Sequence, residues 1–146
     1  MAEKTKILVI DDVKENVELL AAYLTGAGFE TLKSFNGKDG IEMVKENHPA
    51  LILLDIMMPD LDGFGVCEIL RKDAGTSIVP IVMVTAKDKD ADIVRSLEAG
   101  ADDYIVKPVS KKDLLGKVES VLLKAAKGEL PSQVYLKKIS SEEEHK

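Results

Sequence analysis

Short unbroken apolar runs alternate along this chain with stretches in which apolar residues recur every three or four positions. Residues 7–10 (Ile-Leu-Val-Ile), 51–54 (Leu-Ile-Leu-Leu) and 78–84 are runs of the first kind. Such runs suit strands buried on both faces, as at the centre of a parallel sheet. Pro80 interrupts the third near its start, and Thr85 ends it. Residues 29–33 suit a less apolar strand near a sheet edge, and Tyr104-Ile105-Val106 a last short one. Between these runs Val13, Val17, Leu20, Ala21 and Leu24 keep helical spacing, with Asp12 as the expected N-cap and Gly26 and Gly28 as the stop. A second helix carries Ile41 and Val44 and closes at His48-Pro49. A third, capped by Asp62, carries Val66, Ile69 and Leu70. Ile93 and Leu97 mark a fourth that ends at Gly100, and Leu114, Val118, Val121, Leu122 and Ala125 line a fifth. Gly116 inside the fifth costs about 1 kcal/mol relative to Ala.

Strand and helix therefore alternate five times with short connections. That order predicts an α/β fold, a five-stranded parallel sheet with right-handed crossovers and five helices spread over both faces. The strand order expected for such a unit is 2-1-3-4-5, the flavodoxin-like (βα)5 arrangement. The domain is expected over residues 5–126. Residues 127–146, with their Glu142-Glu143-Glu144 run, read as a polar tail, mostly solvated or docking a partner, although Val134, Leu136 and Ile139 offer apolar contacts.

Composition narrows the function classes. The 146 residues carry a net charge of −6, which makes direct nucleic-acid binding an unfavourable default. Cys67 is the sole cysteine, so an internal disulfide and a multi-cysteine zinc site are excluded. No apolar run approaches the ~20 residues of a membrane span, and Met1-Ala2-Glu3-Lys4 has no apolar signal region. A cytoplasmic location is expected.

The candidate chemistry lies at the strand ends. In the 2-1-3-4-5 order the third strand is central, and neighbouring strands lie about 4.8 Å apart. Asp11 and Asp12 then end one strand from Asp55 on one side, and Thr85 one strand away on the other. Lys107 ends two strands away, a gap that a long side chain can narrow. Three carboxylates so close repel one another without a cation. Oxygen-only ligation with several waters fits Mg²⁺ better than Zn²⁺. Asp55 would then carry a nucleophilic oxygen, with Lys107 and the Thr85 hydroxyl binding the oxygens of an incoming phosphoryl group. Each residue alone has a plainer role: a helix cap, a β-former, a turn. Their coincidence at successive strand ends on one sheet edge is what favours a site.

Asp11-Asp12, the stretch from Leu53 to Gly63 (Leu-Leu-Asp-Ile-Met-Met-Pro-Asp-Leu-Asp-Gly), Thr85-Ala86 and Lys107-Pro108 resemble the receiver domain of two-component response regulators. The resemblance spans residues 5 to 126. It implies that Asp55 accepts a phosphoryl group from a phosphohistidine on a histidine kinase or phosphotransfer protein. It also implies that Asp12, Asp55 and the Met57 backbone carbonyl ligate Mg²⁺, Asp11 acting mostly through water, and that Lys107-Pro108 is a cis peptide. In the implied switch Thr85 moves toward the phosphoryl group and Tyr104 turns inward, reshaping the surface of helix 4, strand 5 and helix 5 for an output partner. Such a protein catalyses its own phosphorylation and dephosphorylation and has no separate substrate. Met57 and Lys87 stand at positions that set phosphoryl lifetime, and an apolar Met57 implies slow loss.

Other readings fit less well. A haloacid-dehalogenase-like phosphatase with an aspartyl-phosphate intermediate usually has a second Asp where this chain has Met57. A flavodoxin-like cofactor binder needs a phosphate-cradling loop where Asp11-Asp12-Val13-Lys14-Glu15 stands. A degenerate receiver would lack part of the Asp/Asp/Asp/Thr/Lys set. A phosphorelay intermediate, a stand-alone receiver, an excised N-terminal domain and a phosphorylation-dependent homodimer stay open. His48 and His145 lack a third ligand, and Cys67 lacks a His partner, so none is credited as a site.

Overall fold

The computed structural model describes residues 3–86 and 90–135. Its elements run β1 (Lys6–Ile10), α1 (Lys14–Gly26), β2 (Glu30–Ser34), α2 (Gly37–Asn47), β3 (Leu51–Asp55), α3 (Gly63–Lys72), β4 (Ile81–Thr85), α4 (Asp90–Ala99), β5 (Asp103–Val106) and α5 (Lys111–Lys127). All pairings are parallel and the sheet order is β2-β1-β3-β4-β5, as the alternating pattern predicts.

Alternation along the strands sorts the core into two layers. Ile7, Val9, Leu51, Leu53, Val82, Val84 and Ile105 meet α1 and α5 through Val17, Leu20, Leu24, Leu114, Val118 and Val121. Leu8, Ile10, Ile52, Leu54, Ile81 and Met83 face the other way, toward Ile41, Val44, Phe64, Val66, Cys67, Leu70 and Ala99. Every residue of β3 and β4 is buried, which is why those runs show no polar alternation. Edge strand β2 buries only Ser34.

The helix boundaries carry several corrections. Asp12 does not cap α1: Val13 is the N-cap residue, without a side-chain cap, and its N–H donates to Asp11 Oδ1 at 2.9 Å. Asp62 does cap α3, accepting from the Gly65 N–H at 2.9 Å. Strand β4 begins after Pro80, not at Ile78, which is exposed. Pro80 still supplies its carbonyl to the Ile52 N–H. On α4 the buried residues are Ser96 and Ala99, while Leu97 is 48% exposed. A Cβ added at Gly116 would meet nothing within 4 Å, so its place in α5 reflects no packing demand.

Residues 128–135 depart from the expected solvated tail. Gly128 ends α5 in the left-handed region (φ 72°). The chain then turns back so that Leu130 enters the α1/α5 layer, and Ser132 is buried as well. Residues 131–135 form one short helical turn. Leu136, Ile139, the Glu142–Glu144 run and His145 lie outside the described residues. No helix among the described residues is long and apolar enough to cross a membrane.

Candidate functional site: a carboxylate cluster at the strand ends

The C-terminal ends of β1, β3 and β4 and the loop after β5 converge at one edge of the sheet. Register sets this convergence: Ile10 pairs with Leu54, Asp55 with Val84, and Thr85 with Val106. Asp11 therefore leaves β1 beside the Asp55 end of β3. Carboxylate oxygens of Asp11, Asp12 and Asp55 come within 4.8 Å of one another, with Asp11 and Asp55 buried and Asp12 exposed. One wet ligand beside two sheltered ones suits a hard cation that keeps part of its water shell.

Lys107 spans the gap foreseen from strand spacing. Its Nζ donates to Asp55 Oδ1 at 3.0 Å and lies 3.6 Å from Asp11 Oδ2. Burial pushes the Asp55 carboxyl above its usual range; the Lys107 hydrogen bond pulls back, and the neighbouring charges of Asp11 and Asp12 push up again. Burial pulls the Lys107 ammonium down, but the Asp55 hydrogen bond and the Asp55 and Asp11 charges outweigh it, so its pKa is raised. The surroundings thus favour the charged form of Lys107 and, on balance, oppose that of Asp55.

Thr85 is buried and its hydroxyl donates to the Ala86 carbonyl at 3.3 Å, not to Asp55. Tyr104 is half-buried against the α2–α4 layer, with Lys117 Nζ 5.9 Å from its ring centroid. The Met57 side chain is 72% exposed, and its carbonyl accepts no hydrogen bond from the described residues. The Lys107–Pro108 peptide is cis. Lys87 lies outside the described residues.

Two supporting residues escape the sequence reading. Asn16, in the first turn of α1, donates from Nδ2 to Asp11 Oδ2 at 3.2 Å and shares that oxygen with Lys107. Asp11 precedes the helix, so no helical spacing in the sequence announces this pair. Gly63 opens α3 directly under β3: a Cβ there would meet the Asp55 carbonyl oxygen at 2.5 Å and the Ile56 Cα at 2.8 Å. Only Gly permits this approach, which seats the Asp55 strand against α3. His48 is the left-handed C-cap of α2 (φ 47°), and burial pushes the Cys67 thiol up to about 12, so neither joins the site.

Among known proteins, the family described as "Response regulator receiver domain" matches residues 7–119. A probable transcriptional regulator, ycf27, of Porphyra purpurea is 45% identical over 125 residues, covering 86% of this chain and 50% of the relative. The DNA-binding response regulator MtrA of Mycobacterium tuberculosis (strain CDC 1551 / Oshkosh) is 44% identical over 119 residues, covering 82% and 51%. The chain thus spans about half the length of these curated relatives. A crystal structure of a putative response regulator from Chloroflexus aurantiacus superposes with a TM-score of 0.80 at 30% identity, covering 83% of this chain and 99% of that one. The chain belongs to the response regulator receiver domain family.

Proposed function

We propose that this receiver accepts a phosphoryl group on Asp55 from a phosphohistidine and signals the event through its α4–β5–α5 surface. The observation that carries the reading is the Lys107 Nζ to Asp55 Oδ1 hydrogen bond of 3.0 Å beside the Asp11–Asp12–Asp55 cluster. It combines a carboxylate nucleophile, a fixed cation and a set of oxygen donors suited to a divalent ion. Asp12, Asp55 and the Met57 carbonyl would hold Mg²⁺, with Asp11 one shell out. When bound, the ion supplies charge neutralisation for the carboxylates and the incoming phosphoryl oxygens.

The residues divide the work. An Asp55 carboxylate oxygen forms the new O–P bond in line with the breaking P–N bond, and the departing electron pair returns to the donor imidazole. Lys107 is already at the nucleophile, so it can follow a phosphoryl oxygen without a large rearrangement. Asn16 donates to the Asp11 oxygen that also faces Lys107 and so fixes the orientation of that carboxylate. Thr85 would exchange its Ala86 carbonyl for a phosphoryl oxygen, and Tyr104, packed beside β4, would turn inward after it. Phosphorylation replaces the single charge of the Asp55 carboxylate with the about −1.5 to −2 charges of an acyl phosphate, carried on three further oxygens beside one lysine, enough to bias a two-state element. Met57 has no group to orient an attacking water, which favours slow self-dephosphorylation.

The donor in this reading is a histidine kinase or phosphotransfer protein in the cytoplasm, and the output partner is a protein. The same chemistry would serve a phosphorelay intermediate that passes the group onward. Intact mass after incubation with acetyl phosphate and Mg²⁺ tests the proposal. Wild type should gain one phosphoryl group, and Asp55→Ala, or wild type without Mg²⁺, should gain none. An equal gain in Asp55→Ala would refute it.

A further inference from the structure

At the opposite end of the sheet, a second buried polar network ties the C-terminal segment to the strands that carry the switch residues. Asp102 lies just before β5, and its side chain has no exposure to solvent. Its Oδ2 accepts from the Ile81 N–H at 3.0 Å, at the start of β4, and from Arg71 Nη2 at 2.9 Å. Its Oδ1 accepts from the Ser132 N–H at 3.0 Å and from the Ser132 hydroxyl at 2.6 Å. Arg71, near the end of α3, also donates to the carbonyls of Gly100, Ser77 and Val79. One carboxylate thus joins α3, β4, the α4–β5 corner and the C-terminal segment.

The segment is shaped for this contact. Pro131 opens its helical turn, and the Gln133 side chain accepts from the Leu130 N–H at 2.9 Å and donates to the Ala125 carbonyl at 3.0 Å. Asp102 takes the Ser132 N–H, an orphan donor of that turn, in the role an N-cap side chain normally fills. Leu130 anchors the segment in the α1/α5 layer. Ser132 lies beyond residues 7–119, the stretch matched by the family.

The strands rooted in this network end in the site. β4 runs from Ile81 to Thr85 and β5 from Asp103 to Val106, the residue before Lys107. The apolar hold on this quarter is thin: α4 buries only Ser96 and Ala99, and β5 fully buries only Ile105. Polar bonds at Asp102 therefore carry much of its placement. An ionised carboxylate offers about four acceptor positions, and here all are used. A shift of the corner can break these bonds but cannot add to them. The closed network also coexists with the Thr85–Ala86 hydrogen bond, the arrangement that the proposed switch abandons.

We propose that residues 129–135 are a latch, closed on Asp102 while Thr85 bonds Ala86 and loosened when phosphorylation of Asp55 moves the α4–β5 corner. The C-terminal segment is then a second output of the receiver, at the end of the sheet remote from the phosphoryl group. This inference rests on the phosphoacceptor reading above. Because coupling is reciprocal, opening the latch must strengthen binding of whatever opens it, by the same factor.

The test uses the full chain with beryllofluoride and Mg²⁺ as the phosphoryl mimic. Affinity is measured for wild type, for Ser132→Ala, which removes the hydroxyl donor, and for Ser132→Pro, which removes both donors. Amide exchange at Ser132 is followed in the wild type with and without the mimic. The proposal expects faster exchange at Ser132 on binding and tighter binding in both variants, by about 5-fold or more in Ser132→Pro. Unchanged or weaker affinity in both variants, or unchanged exchange at Ser132, would overturn the latch while leaving the phosphoacceptor reading standing. Failure of the wild type to bind the mimic at all would instead overturn the phosphoacceptor reading and the latch with it.

Discussion

Strand β3 with α3 and strand β5 with α4 belong to the same sheet, with only β4 between the two strands, yet they are held by different means. All five residues of β3 are buried, and α3 buries Gly63, Phe64, Val66, Cys67 and Leu70. In β5 the burial pattern leaves Val106 exposed and Asp103 and Tyr104 half-exposed, and α4 buries two small residues. The first region holds Asp55 in a packed core, where side chains have little freedom to shift. The second carries Tyr104 and leads to Lys107, and its position depends on Arg71, Asp102 and the Arg95 guanidinium over the Phe64 ring at 4.2 Å. In the proposed function, the phosphoacceptor Asp55 is thus mounted on a densely packed wall, and Tyr104 and the approach to Lys107 on a thinly packed one. Regions that move in signalling are drawn from those with few buried apolar contacts.

The comparison breaks most severely at Arg71. Arg71→Met should strand the buried Asp102 carboxylate and cost about 3–5 kcal/mol, read as a lowered urea midpoint. A smaller contrast lies in paired truncations. Leu53→Ala, in fully buried β3, should cost about 2–5 kcal/mol, and Leu97→Ala, on α4, should stay within about 0.5 kcal/mol. Equal costs would mean that the two regions are packed alike.

Much of this division can be read from the sequence, and the exceptions have physical causes. The runs at 51–54 and 78–84 announce strands covered on both faces, although the second becomes a strand only after Pro80, and the strand ends bring Asp11, Asp12, Asp55, Thr85 and Lys107 to one edge. Leu97 is exposed despite its spacing, because helical periodicity marks an apolar stripe but not how much of it a neighbour covers. Asp12 fails as a cap because α1 starts one residue later, with Val13 as the N-cap residue, and the Asp12 carboxylate joins the Asp11–Asp55 cluster. The Arg71–Asp102–Ser132 network is invisible in the sequence because partners separated by 30 or 31 residues share no period with any single element. The tail consequently reads as solvated although Leu130 and Ser132 are buried.

The densely packed wall should also reveal itself by pH. Burial raises the Asp55 pKa above its unfolded value, so the folded state binds the extra proton between the two values. Stability is therefore lost as pH rises from about 4, the unfolded value, through the folded one. Asp55→Asn should be more stable than wild type at pH 7, with the difference vanishing below the unfolded pKa. Mg²⁺ at neutral pH should narrow the gap. Urea midpoints at the two pH values decide this, and a gap that widens toward acid would refute it. The smallest effect expected is on lifetime: Met57→Asn, on the loop after β3, should shorten the acyl phosphate several-fold by orienting a water, as followed by loss of the phosphorylated mass.

The most direct test of a densely packed wall facing a thinly packed one that moves is a map of backbone amide shifts on adding beryllofluoride with Mg²⁺. Beyond the loops that touch the ligand, changes should extend through β4, α4, β5, α5 and Ser132 and leave the interiors of β1, α2 and β3 unmoved. Changes spread evenly over both regions, or confined to the loops around Asp55, would contradict the account.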